Sequence, residues 1–217
     1  MTRSTNHVAL GVVLSALALL GCGGESEPED TREPPRNSRF PDWPSYGHDF
    51  TNSRTNPEET LITPENVGTL EPKWSFSDVA VTSTPVLYNG VVYFGDWHSD
   101  LHARDALGGS ELWVADLQPN NIITNQINSG PFVTRDTVYV GAHGAELFAL
   151  NRASGDIRWQ KTIDDQVSLM LWSSPALVDG TIVIGVGSYQ VFLPTTPSFR
   201  GNVTGVDAKS GNVLWKT

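Results

Sequence analysis

Apolar and polar positions along most of the chain follow a short, repeated strand–turn–strand pattern. Ser83-Thr84-Pro85-Val86-Leu87-Tyr88-Asn89-Gly90-Val91-Val92-Tyr93-Phe94-Gly95 is one such unit. Ser129–Gly141 and Ser173–Gly185 repeat it. Runs rich in β-branched and aromatic residues, broken by Asn89-Gly90 and Asp179-Gly180, predict hairpins. A second signature closes each unit. It reads Ala103-Arg104-Asp105-Ala106-Leu107-Gly108-Gly109-Ser110-Glu111-Leu112-Trp113, and recurs over Ala149–Trp159 and Gly205–Trp215. Its Asp or Asn and its Gly suit a turn that needs φ > 0.

Each unit therefore holds four short strands, A to D. Pro-to-Trp spacing is 28 residues in the first two units and 40 in the third, whose extra length falls between Gly185 and Gly205. Four-stranded antiparallel sheets with one aromatic motif each predict an all-β propeller. The reading gives residues 40–76 as lead-in and closing strand, with blades over 77–116, 117–162 and 163–217. Trp113, Trp159 and Trp215 lie on strand D, where each indole can cover a neighbouring blade. Trp74 lies on what reads as a strand D whose A to C are missing upstream. Three blades and one displaced strand are thus expected to be an arc of a larger ring, and the chain to be the N-terminal fragment of it.

Composition agrees with this. Gly and Pro number 20 and 14, and seven residues are Trp. Charged residues make up only 18%, which argues against a helical bundle. The net charge of −10 makes nucleic acid an unsuitable partner. A single Cys allows neither an intrachain disulfide nor a Cys-based metal site, and no Cys-x-x-Cys-His haem motif is present.

The N-terminal segment reads as an export signal. Val8–Leu20 is a 13-residue apolar run behind Arg3, short for a bilayer span but suited to a signal core. It ends Leu19-Leu20-Gly21-Cys22, which resembles a bacterial lipobox with Cys22 as the lipidated residue. Residues 1–21 are expected to be a signal peptide, and 22–39 an acidic, Pro-rich tether. An exported protein held by lipid in the cell envelope follows, in the periplasm at the outer membrane.

The repeats resemble those of the pyrroloquinoline-quinone (PQQ) propeller superfamily, with Ala-x-Asp-x-x-x-Gly-x-x-x-Trp similar to its tryptophan-docking motif. Asp42-Trp43-Pro44-Ser45-Tyr46-Gly47-His48-Asp49-Phe50-Thr51-Asn52-Ser53-Arg54 and Ile62-Thr63-Pro64-Glu65-Asn66-Val67-Gly68-Thr69-Leu70 resemble the lead-in of its alcohol dehydrogenases, particularly those similar to polyvinyl-alcohol dehydrogenase. The resemblance covers about residues 41–217. It implies PQQ and Ca²⁺ as cofactors, a small or polymeric alcohol as substrate, and an external electron acceptor such as a cytochrome c. The ion would serve as a Lewis acid and a carboxylate would take the alcohol proton.

Several anchors of the methanol-dehydrogenase pattern are replaced here. Thr82 stands at a Glu position, Ile123-Thr124 at a Cys pair, Ser129 at an Arg, and Gln190 at a Ca²⁺-ligating Glu. The catalytic Asp of that pattern has no counterpart in this stretch, so the fragment alone is expected to be inactive. The candidate cofactor residues are Asn125, Asn128, Trp172, Gln190 and Arg200, with Gln190 also the Ca²⁺ candidate through its carbonyl oxygen. His98 and His102 do not read as a metal pair, because His102 takes the strand-C position of Phe148 and Thr204. The competing reading is a non-catalytic propeller scaffold, similar to the lipoprotein of the outer-membrane β-barrel assembly machine.

Overall fold

The computed structural model describes residues 41–217, apart from 78, 118–125, 167–168, 189, 191–193 and 195–197. All of these lie in one compact unit, Pro34–Thr217. The expectations for the signal peptide, Cys22, the tether, Ile123-Thr124 and Asn125 fall outside the described residues.

The protein is all-β. Strands β1 (Val86–Tyr88), β2 (Val91–Gly95), β3 (Asp100–Asp105) and β4 (Glu111–Asp116) form the first sheet in sequence order. Strands β5 (Phe132–Val133), β6 (Thr137–Ala142), β7 (Glu146–Asn151) and β8 (Ile157–Thr162) form the second. β9 (Leu169–Met170) pairs with β11 (Thr181–Ser188), which also belongs to the third sheet with β10 (Ala176–Val178), β12 (Asn202–Asp207) and β13 (Val213–Lys216). All strand pairs are antiparallel, as the hairpin signals predict. Asn89-Gly90 has φ of 49° and 76°, and Asp179-Gly180 of 46° and 76°. Two successive positive φ values make the primed turn that matches strand twist.

The second signature builds the β3–β4, β7–β8 and β12–β13 turns. Asp105 Oδ2 accepts the Gly108 N–H at 2.6 Å, Asn151 Oδ1 the Ala153 N–H at 2.9 Å, and Asp207 Oδ1 the Ser210 N–H at 2.8 Å. The signature Gly then turns with φ of 70°, 78° and 71° at Gly109, Gly155 and Gly211. Each of these glycines carries an indole from the preceding repeat. A Cβ at Gly155 would lie 2.7 Å from Trp113, and one at Gly211 2.8 Å from Trp159. Trp113 Nε1 donates to Arg152 O at 3.0 Å, and Trp159 Nε1 to Ala208 O at 3.1 Å.

Apolar residues of neighbouring sheets fill the space between them. Tyr93, Leu101 and Ala103 of the first sheet meet Val138, Val140, Phe148 and Leu150 of the second. Leu147 and Ala149, on the second sheet's other face, meet Ile182, Ile184 and Val206 of the third. The middle sheet is covered on both sides, and every residue of β6 is buried. β13, by contrast, is exposed along its length.

Two expectations change. The segment around Trp74 is not a β-strand, because no sheet pairs with it among the described residues. Its indole nevertheless sits as the others do, donating to Ala106 O at 3.0 Å and lying 2.7 Å from a Cβ built at Gly109. Trp215 does not dock on another sheet among the described residues. It lies against Gly205 of its own sheet and is 42% exposed.

Candidate functional site

The three Ser-x-Pro segments that lead into β1, β5 and β10 converge. A Cβ at Gly130 would lie 2.7 Å from Ser174 Oγ and 3.2 Å from Thr84, so the same repeat position of all three units meets there. Serine hydroxyls tie these segments in series. Ser83 Oγ donates to Ser129 O at 3.0 Å, and Ser129 Oγ donates to Ser173 O at 3.0 Å. Ser129 Oγ also accepts the Gly141 N–H at 3.3 Å.

The lead-in crosses this junction. Trp43 makes a β-bridge with Leu87 of β1, and Asp42 Oδ1 accepts the Asn89 N–H at 2.7 Å. That path brings Tyr46, Asp49 and Phe50 opposite the Ser-x-Pro segments, where Phe50 stacks on Phe132 with centroids 6.2 Å apart. Asp49 accepts hydrogen bonds from the Ser53 and Thr51 hydroxyls, both at 2.7 Å, and from both residues' N–H groups. These donors, with Ser53 the strongest and Thr51 next, hold its carboxyl far below the usual carboxylate range.

Between lead-in and strands lies a cavity of about 480 Å³. Trp172, Asn128, Thr84, Ser173 and Ser174 line it with Tyr46, Asp49, Phe50 and Phe132. Two of the candidate residues, Asn128 and Trp172, therefore share one wall. Trp172 is 38% exposed and offers an indole face. Asn128 belongs to a network at the rim, where Thr82 Oγ1 donates to Asn128 Oδ1 and accepts from Trp97 Nε1 at 3.0 Å.

Gln190 and Arg200 do not join this wall. Gln190 Oε1, the carbonyl proposed for Ca²⁺, accepts from the Ser198 N–H at 2.8 Å and from the Ser198 hydroxyl within its own loop. Arg200 is exposed and does not line the cavity. The repeat pattern carries no register through an insertion.

Sequence reasoning missed three participants: Tyr46, Phe50 and the serine series. The lead-in motif was visible, but its β-bridge to Leu87 was not. The recurring Ser of Ser-x-Pro was a usable signal for the third.

Serially stacked four-stranded sheets, each pinned by the preceding repeat's indole, define the chain as part of a tryptophan-docked β-propeller. The family follows from sequence. A family model described as "Outer membrane protein assembly factor BamB" (PQQ_2) matches residues 65–217, and the chain belongs to this family of PQQ-like repeats. Quinohemoprotein alcohol dehydrogenase of Comamonas testosteroni is 31% identical over 189 residues, covering 82% of this chain and 26% of the relative. Quinoprotein alcohol dehydrogenase PedH of Pseudomonas putida is 28% identical over 229 residues, covering 99% of this chain and 37% of the relative. The chain thus spans about a quarter to a third of the length of such relatives.

The crystal structure of the Comamonas testosteroni enzyme superposes with a TM-score of 0.68 at 30% identity, over 82% of this chain and 27% of that one. A europium-containing methanol dehydrogenase superposes with a TM-score of 0.69 at 19% identity, over 83% of this chain and 32% of that one, a likeness of fold.

PQQ is a planar tricarboxylate, so it calls for a stacking face, hydrogen-bond donors and cations. The described lining supplies the first two through Trp172, Asn128, Thr84 and Ser174. It supplies no Lys or Arg, and its one charged group, Asp49, is an anion. Nor does the lining offer the several charged oxygens that Ca²⁺ prefers. The wall fits the face and edge of such a group, not its charge.

Proposed function

We propose that the chain forms one wall of the cofactor and alcohol site of a PQQ-dependent alcohol dehydrogenase. One observation carries this reading: Asn128 and Trp172, singled out for the cofactor, line one cavity in a chain whose relatives are quinoprotein alcohol dehydrogenases. When bound, the quinone would accept the two electrons and two hydrogens that the alcohol loses. The wall's own part is to stack and to donate hydrogen bonds. The cations, the Ca²⁺ carboxylates and the proton acceptor must come from outside the described wall.

The finer reading is a polyvinyl-alcohol type of enzyme, exported, lipidated at Cys22, held in the cell envelope and passing electrons to an external acceptor such as a cytochrome c. The lead-in motif and the lipobox-like segment support it. The absence of a cation from the described lining favours a second reading, a propeller scaffold without cofactor.

One assay separates the two. The protein carrying this chain is expressed from its complete gene, supplied with PQQ and Ca²⁺, and tested for dye reduction with primary, secondary and polymeric alcohols. Alcohol-dependent reduction supports the dehydrogenase. No PQQ uptake and no reduction would leave the scaffold.

A further inference from the structure

A second cluster lies on the first sheet, outside the cavity just described. The turn from β2 to β3 brings Asp96, Asp100 and His102 together, with one donor atom from each within 4.8 Å of the others. They border a cavity of about 300 Å³ whose lining also includes His98 and Glu111. Asp96 is 1% exposed and His102 6%.

Comparison of the repeats shows that these residues depart from the pattern together. The position of Asp96 is held by Ala142 in the second unit and Val186 in the third. The position of His102 is held by Phe148 and Thr204. The first unit thus buries a carboxylate and an imidazole where the second buries a methyl and a phenyl. Burying a charge is costly unless it is paired, and packing alone does not call for it here.

The hydrogen bonds account for only part of this. Asp96 Oδ1 accepts the His98 and Asp100 N–H groups, which shapes the turn. Asp96 Oδ2 lies 2.9 Å from His102 Nε2. His102 Nδ1 remains buried without a partner, although the residue lines the cavity. Arg104 borders the same cavity, but its guanidinium donates to Gly109 O at 2.8 Å and pairs with Glu111 at 3.5 Å. Asp96 and Asp100 carry no lysine or arginine partner among the described residues.

We infer that Asp96, Asp100 and His102 form a site for a divalent transition-metal ion of the Zn²⁺ type. One imidazole nitrogen and two carboxylate oxygens are a donor set for such an ion, whereas Ca²⁺ and Mg²⁺ prefer oxygen alone. Ligands at about 2.0–2.1 Å from a tetrahedral ion stand about 3.3 Å from one another. With Nε2 of His102 as the imidazole donor and Nδ1 outside the ligand set, the 2.9 Å approach of Asp96 to His102 needs to open only slightly. The cavity leaves a fourth position for water, His98 or Glu111. The ion would neutralise the two carboxylates and fasten the β2–β3 turn.

The test is a titration of the full chain, free of any histidine tag, with Zn²⁺ by calorimetry and with Co²⁺ by visible absorption. One equivalent should bind, with the d–d bands of a nitrogen- and oxygen-ligated Co²⁺, and an excess of Ca²⁺ should not displace it. His102→Phe places the second repeat's residue at this position, so the sheet should persist by circular dichroism. This variant and Asp100→Asn should each bind at least about tenfold more weakly. Zn²⁺ should raise the melting temperature of the wild type and not of the variants. Absence of one-equivalent uptake by the wild type, or unchanged affinity in both variants, would overturn the inference.

Discussion

Replacing Gly155 by Ala perturbs the joint between the first two sheets at one atom. Gly155 has φ of +78°, and its new methyl would stand 2.7 Å from Cε3 of Trp113. Gly180 is the matched control, with φ of +76° and nothing within 4 Å of an added Cβ. Both alanines incur the left-handed backbone cost of about 1–2 kcal/mol. Only Gly155→Ala must also displace an indole. That displacement adds an overpacking cost of about 1–3 kcal/mol. It also threatens the Trp113 hydrogen bond to Arg152, worth about 0.5–1.5 kcal/mol net. The expected losses are therefore about 1–2 kcal/mol for Gly180→Ala and about 2–6 kcal/mol for Gly155→Ala. Urea unfolding followed by tryptophan fluorescence and far-ultraviolet circular dichroism measures both. Equal destabilisation by the two substitutions would refute the claim that the indole, rather than the turn, makes this glycine necessary.

Other substitutions test other joints. Ser129→Ala should cost about 1–3 kcal/mol in the same urea experiment, because it leaves the Gly141 N–H and Ser173 O without their hydroxyl partner. Trp159→Ala, which empties the docking place beside Tyr139 and Ala208, should cost about 3 kcal/mol. Trp215→Ala should cost far less in this 217-residue chain, since that indole is 42% exposed. Asp164 gives a pH signature. Burial pushes its carboxyl up, but the Gln166 N–H, Lys216 and Asn202 together pull it below the ordinary value. A depressed folded pKa contributes stability that is present above about pH 4 and lost as pH falls through the folded value. The melting-temperature gap between wild type and Asp164→Asn should thus be full at neutral pH and shrink below pH 4. A gap unchanged down to pH 2 would contradict this.

Much of the fold was legible because its determinants are local. Asn89-Gly90 and Asp179-Gly180 state their turns within two residues, and the Asp-to-Gly signature states the next turn within five. The role of the indoles was also readable, since Trp recurs at fixed distance from that signature. Features that depend on a partner far along the chain were less visible. The Ser83 and Ser129 hydroxyls act on carbonyls one repeat away, at Ser129 and Ser173. Trp74 sits on an unpaired segment because a strand needs a neighbour to pair with, although its indole obeys the repeat. At the candidate site, Asn128 and Trp172 line one cavity because their loops lie in register with the repeats. Gln190 and Arg200, where the insertion breaks that register, do not line it. The Asp96–His102 contact was passed over for a related reason: repeat alignment marks His102 as a place for an ordinary core side chain. It says nothing of what stands across from it.

The central claim is that the wall carrying Asn128 and Trp172 belongs to a quinone site. Equilibrium binding of PQQ, in the presence of Ca²⁺, to the protein expressed from its complete gene tests it most directly. Stacking on an indole contributes about 1–3 kcal/mol for a flat aromatic ligand, and 1.4 kcal/mol is tenfold in affinity. The account therefore expects one equivalent of PQQ to bind and to quench tryptophan fluorescence, with Trp172→Ala weakening binding about tenfold or more. No uptake by the wild type, or equal affinity in Trp172→Ala, would contradict it.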